Sequence, residues 1–163
     1  MPEVSPLHLD KAIQAVLENL VGITSLYPNQ HELLTALFEN ENVFYTDSTN
    51  SGKTLPAVIF PEILKNLNRQ GYKFPAKPKL LFVTALNSLK LSLVNNTKAI
   101  GIDCAAVTTE NVRNLLESDT SVLFISPEVL KVPAVTQTLL HQRSAFVLKV
   151  VDECHLGKLV EYP

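Results

Sequence analysis

The sequence predicts an α/β fold, a single domain built on a mainly parallel β-sheet with helices on both faces. Three observations carry this expectation. Short apolar runs of strand length, at 43–45, 80–84, 105–107, 122–125 and 146–151, alternate with segments whose apolar residues recur at helical spacing. The run Leu80-Leu81-Phe82-Val83-Thr84 is apolar without alternation, as in a strand covered on both faces. The polar stretch Thr46-Asp47-Ser48-Thr49-Asn50-Ser51-Gly52-Lys53-Thr54 lies between the first run and a helical segment over 55–67, so the unit reads strand, tight loop, helix.

Taken in order, Leu9, Ile13, Val16, Leu17 and Leu20 give an amphipathic lead-in helix over 7–20 that Gly22 ends. This separates residues 1–22 as a lead-in from a main domain over 23–163. A second helix over 30–38 turns Leu33, Leu34, Leu37 and Phe38 inward, and a turn over 39–42 leads to the first strand. After the helix over 55–67 comes a turn-rich basic connector, 68–79, then the strand at 80–84 and a helix over 87–98. Thr109 and Glu110 open a helical stretch that runs to Leu116, and Pro127, suited to a first helical turn, opens one helix running to about His141. The last strand, 146–151, is expected to be buried. There Lys149 needs a partner or a route to an edge, because an unpaired ammonium is costly in an apolar layer.

Bulk properties narrow the function. A chain of 163 residues with 46% hydrophobic and 18% charged residues is long enough to bury a core and shows no signature of disorder. No apolar run reaches the length of a membrane span, and Met-Pro-Glu-Val-Ser-Pro lacks the regions of a signal peptide. An intracellular protein without a membrane partner is expected, with Cys104 and Cys154 as reduced thiols. The net charge of −2 argues against a generic polyanion binder, yet no acidic residue falls between Glu62 and Asp103. Lys65, Arg69, Lys73, Lys77, Lys79, Lys90 and Lys98 all do. From charge alone this block fits a phosphate-backbone footprint and a solvated connector equally well.

The loop ending in Gly52-Lys53-Thr54 has the chemistry of a triphosphate site. The start of a helix offers unpaired N–H groups and the positive end of the dipole, a lysine can reach the outer phosphates, and a threonine hydroxyl suits Mg²⁺. Asp152-Glu153 follows the last apolar run. A carboxylate pair there is either a solvated strand end or the second half of an ATPase site, with Asp152 on the metal and Glu153 on the attacking water. In a parallel sheet ligands bind beyond the carboxyl ends of the strands, and both motifs fall at such ends.

With these motifs in this order the chain resembles the first RecA-like lobe of superfamily 2 helicases and translocases. Asp152-Glu153-Cys154-His155 is similar to a DEAH box with cysteine in third place, and residues 47–54 resemble that superfamily's loop, keeping Thr49, Ser51, Gly52, Lys53 and Thr54. Among the branches the RecQ-like DNA helicases fit best. Leu26-Tyr27-Pro28-Asn29-Gln30-His31-Glu32 is similar to their adenine motif, Leu86, Ser88, Leu89 and Val94 to their nucleic-acid segment, and Ser126-Pro127-Glu128-Val129-Leu130 to their Ala-Pro-Glu-Arg-Leu. The resemblance covers about residues 20 to 156. It implies ATP and Mg²⁺ as cofactors, with Thr49, Asn50, Ser51, Gly52, Lys53 and Thr54 around the phosphates, and Thr54 and Asp152 at the metal. Lys53, Asp152 and Glu153 would be catalytic and Gln30 would read adenine, since one amide both donates and accepts. Ser88, Lys90 and Lys98 would face single-stranded or duplex DNA, with His155 coupling the two sites. Nuclear localisation and a second helicase lobe, in cis or in trans, follow from the same resemblance.

The pattern also breaks. Asp47 and Asn50 replace a small residue and a glycine of the loop, and Asn tolerates a left-handed backbone. Tyr27 stands where relatives have arginine, so contact with adenine from that side becomes stacking. Ser92 and Leu93 replace Asp-Gln. After the box the sequence runs Leu156 to Pro163 without the aromatic-rich loop, and the second lobe with its arginine, worth about 10³ to 10⁵ in rate, is not part of it. These residues are therefore expected to bind ATP and not to unwind DNA alone. Two other readings stay open: a non-catalytic nucleotide or nucleic-acid binding module, and a protein-interaction remnant that uses the fold as a scaffold.

Overall fold

The computed structural model describes residues 2–39, 42, 43, 45, 52–84 and 87–152. Among these residues four parallel strands form one sheet in the order β2-β3-β1-β4, with β1 at Lys79–Val83, β2 at Cys104–Ala106, β3 at Val122–Ile125 and β4 at Phe146–Val151. Val122 to Ile125 lie opposite Leu80 to Val83, and Leu148 to Val151 opposite Leu80 to Val83 on the other side. The central strands β1 and β3 are buried throughout, which is why their sequences are apolar without alternation. The expected strand over 43–45 falls partly outside the described residues; Val43 and Tyr45 carry no sheet pairing.

Seven α-helices among the described residues cover this sheet. They are α1 at Pro6–Leu17, α2 at Pro28–Glu39, α3 at Thr54–Arg69, α4 at Asn87–Ala99, α5 at Val112–Glu117, α6 at Pro127–Leu130 and α7 at Pro133–His141. On one face Phe60, Ile63, Leu64 and Leu67 of α3 bury fully against Leu80, Phe82, Val122 and Phe124. Each such side chain contributes about 1.5–3 kcal/mol relative to exposure. Helix α1 packs on α3, and its Leu9, Ala12, Ile13, Val16 and Leu17 belong to the same core. On the other face Leu81, Val83, Leu123 and Ile125 meet Val112 and Leu116 of α5 and Val135 and Leu139 of α7. No helix among the described residues is long and apolar enough to cross a membrane.

Two expectations need correction. The single helix over 127–141 is two, because Pro133 has no N–H to continue α6; it occupies the first turn of α7 instead, where none is needed. The strand at 146–151 is only half covered. Lys149 is exposed and Val151 is 47% exposed, since β4 is an edge strand among the described residues, so the ammonium stays in water.

The basic block divides in a way that its charge does not reveal. Lys79 is 1% exposed, and its Nζ donates to the carbonyls of Leu115, Ser118 and Thr120 at 2.9–3.1 Å, closing the last turn of α5. Burial pulls its pKa down, and the nearby Lys77 and Lys65 pull in the same direction. Lys65 bonds Glu62 at 2.8 Å and the Ser121 hydroxyl at 2.7 Å, while Lys77 pairs with Asp119 at 3.0 Å. These three lysines are structural ties at the amino end of the sheet and not a phosphate footprint. Cys104 is free and buried, its Sγ–H directed at the Val94 carbonyl, and burial pushes its thiol up to about 11, which leaves it unreactive. Replacing Lys79 by Met keeps the stem and removes the ammonium, so three carbonyls lose this donor and only that of Leu115 keeps another, the Ser118 hydroxyl. The expected loss is about 3 kcal/mol in urea unfolding, and a change below about 0.5 kcal/mol would contradict the assigned role.

Candidate functional site

The position of the start of α3 follows from where its other end is tied. Lys65, near the carboxyl end of α3, bonds Ser121, whose carbonyl accepts from Leu80 at the start of β1. Thr54 lies eleven residues earlier, about 16 Å back along the helix axis, which is the length of a four- to five-residue strand. Thr54 and Lys53 therefore sit at the carboxyl ends of the strands. So does Asp152, whose N–H donates to the Val83 carbonyl at 3.0 Å and extends the β1–β4 ladder by one bond. Among the described residues no side chain caps the start of α3 at Lys53, so the positive end of the helix dipole lies here, with the Leu55 N–H bonded back to the Gly52 carbonyl at 3.1 Å.

Gln30 joins this site by a route that the sequence does not disclose. It is the third residue of α2, and its Oε1 accepts from the N–H of Tyr27 at 2.9 Å, the reach-back of a capping box. Its Nε2 donates to the carbonyl of Gly52 at 3.1 Å. The side chain is only 3% exposed, so Gln30 is not an ordinary solvated helix start; it clamps the loop to α2. Gly52 has φ of +68°, which favours glycine, and a Cβ there would stand 2.5 Å from Gln30 Nε2, so a larger residue would displace the Gln30 amide and break the clamp. Tyr27 is 67% exposed beside this clamp, and the Asn29 amide donates to the Tyr45 hydroxyl at 3.3 Å. Farther out, His31 pairs with Asp10 at 3.0 Å and ties α2 to α1.

Of the residues expected at the site, Gln30, Gly52, Lys53, Thr54 and Asp152 are thus brought to one end of the sheet. Thr49, Asn50, Ser51, Glu153, His155 and the side chain of Ser88 lie outside the described residues. Lys90 and Lys98 part company. Lys90 is in the first turn of α4, close enough to Glu128 for their charges to interact. Lys98 is in the last turn, about 12 Å farther along the axis, and its charge bears on Cys104 at the start of β2. The Glu128 carboxyl is held below its usual range, first by a backbone N–H at the start of α6, then by the Ser126 hydroxyl, with Lys131 and Lys90 adding to both.

The sequence reading also missed a polar group. Thr84, directly after β1, is completely buried and its hydroxyl has no hydrogen-bond partner among the described residues. The only signal was a hydroxyl at the end of an apolar run.

The donors at this end are hard oxygens, a threonine hydroxyl and a carboxylate, which suit Mg²⁺ with a phosphate ligand. The buried Thr84 hydroxyl, without a hydrogen-bond partner among the described residues, adds a further hard oxygen, so the residues present fit such a group. Comparison with known proteins agrees with the chemistry: a family model described as DEAD/DEAH box helicase matches residues 27–158. No curated protein matches the chain.

The clamp makes a specific energetic prediction. Gly52→Ala in the unaltered background carries both the left-handed strain and the clash with Gln30, whereas in a Gln30→Ala background only the strain remains. A double-mutant cycle by urea unfolding is expected to give a coupling of about 1 kcal/mol, and strict additivity would contradict the clamp.

Proposed function

From the premise that the chain belongs to the DEAD/DEAH box helicase family, we propose that it is the ATP-binding lobe of a RecQ-like ATP-dependent DNA helicase. The observation that carries this reading is the joint position of the start of α3, the Gln30–Gly52 clamp and Asp152 at the carboxyl end of one parallel sheet. In the proposal the first N–H groups of α3 and Lys53 bind the phosphates. The Thr54 hydroxyl and, through water, the Asp152 carboxylate hold Mg²⁺, which when bound neutralises phosphate charge. Glu153 orients the attacking water. Tyr27, exposed next to the clamp, stacks on adenine, and Gln30 reads its edge as well as holding Gly52 in place. The RecQ-like assignment rests on the segments at 26–32, 86–94 and 126–130 of the sequence.

Nucleic acid is assigned to the same end of the sheet, where α4 and α6 begin. Ser88 and Lys90 are the residues placed there, with Lys98 at the opposite end of α4 able to meet only a longer strand. DNA, and a nucleus to find it in, follow from the RecQ-like assignment. His155 is proposed to couple the two ligands, and a second helicase lobe, in cis or in trans, to supply the arginine that completes the ATP site.

Labelled ATP binding to these 163 residues tests the reading, with and without Mg²⁺ and beside Lys53→Ala. Metal-dependent binding is expected, weakened at least about tenfold by Lys53→Ala, because a charge-assisted contact to phosphate is lost. Strand separation by the same polypeptide alone is not expected. Absence of nucleotide binding, together with a stable protein partner, would replace the reading by the scaffold one.

A further inference from the structure

The unpartnered Thr84 hydroxyl stands beside Asp152. Val83 and Val151 are opposite each other in the β1–β4 ladder, and the next bond, from Asp152 N–H to the Val83 carbonyl, continues it. On the other side the Thr84 N–H donates to the Ile125 carbonyl at 3.0 Å, so its backbone is held in the sheet as well. Strand alternation decides the faces. Leu80 and Phe82 of β1 and Leu148 and Val150 of β4 belong to the core under α3, while Leu81 and Val83 belong to the opposite one. Thr84 and Asp152, the next residues in each series, therefore project toward the α3 side, one strand spacing or about 5 Å apart.

This places a hydroxyl without a hydrogen-bond partner among the described residues next to a half-buried carboxylate, on the face from which α3 presents Thr54. A buried polar atom without a partner is a rare and costly arrangement, and valine would fill the same volume without it. The bond that Thr84 lacks among the described residues is one that a reoriented Asp152 can accept.

We propose that Thr84 is a positioning residue for Asp152: in the Mg²⁺-nucleotide state its Oγ1–H donates to one carboxylate oxygen and fixes the other toward the metal. The inference rests on the nucleotide-binding reading above and deepens it. Groups that orient a metal-holding carboxylate in this way typically change metal affinity by one order of magnitude or more when removed.

The test is the apparent Mg²⁺ affinity, read by titrating Mg²⁺ into the chain with a fluorescent ADP, for the unaltered protein, Thr84→Val and Thr84→Ser. Thr84→Val is expected to weaken Mg²⁺ about tenfold. Its metal-free ADP binding should be unchanged and its thermal midpoint in the unliganded state no lower, because the orphaned hydroxyl is gone. Thr84→Ser, which keeps the hydroxyl, is expected to retain Mg²⁺ affinity. Should Thr84→Val fold poorly, Thr84→Ala against Thr84→Ser supplies the same contrast. Mg²⁺ affinity unaffected by loss of the hydroxyl overturns this inference alone; no Mg²⁺-dependent binding by the unaltered chain overturns it together with the nucleotide-binding reading.

Discussion

The packing of α3 on the sheet is the constraint from which the rest of the arrangement follows. Phe60, Ile63, Leu64 and Leu67 seal one face of β1 and β3, and the Lys65–Glu62–Ser121 network pins the far end of the helix to the start of β3. With the axis and one end fixed, the other end has a single place to be, above the carboxyl ends of the strands. A site made of helix N–H groups and a strand-end carboxylate thus requires no contact between them. The apolar core holds both. Pro61 inside α3 gives up one ladder bond, and its burial in this core shows how far tertiary packing outweighs helix propensity here.

Charge is distributed along the same axis. At the amino end of the sheet Lys65, Lys77 and Lys79 are committed to carbonyls, carboxylates and a hydroxyl, so three of the seven cations of the positive stretch in the sequence serve the fold. At the carboxyl end the positive features are of a different kind: the start of α3 with Lys53, and Lys90 at the start of α4. An otherwise slightly acidic chain can therefore offer a local welcome to phosphate without being a general polyanion binder.

Much of this architecture was legible in the sequence, and the exceptions share a cause. Strands β1, β3 and β4 fall within a residue of the expected positions because unbroken apolar runs bounded by polar turns admit few alternatives. Helices α1 to α4 follow from periodicity in the same way. What could not be read depended on pairing across the chain. Lys79 looked like one more surface cation until three carbonyls 36 to 41 residues away closed around it. Gln30 needed Gly52, 22 residues on, to become a clamp. Lys149 is exposed because of where β4 stands in the strand order, which no local pattern specifies. Pro133 is the one local signal that was passed over. At the site, the residue types of Gln30, Gly52, Lys53, Thr54 and Asp152 suggested their chemistry, whereas Thr84 could be noticed only once burial and register were known.

The central claim is that α3 and the β1–β4 edge form one metal-nucleotide site. The most direct measurement is paramagnetic broadening of backbone amide resonances when Mn²⁺ is added with ADP. The account predicts selective loss of signal at Gly52 to Leu55 and at Thr84 and Asp152, with Lys65, Lys79 and Lys98 at the other end unaffected. Broadening centred on that other end, or spread evenly over the acidic surface residues, would contradict it.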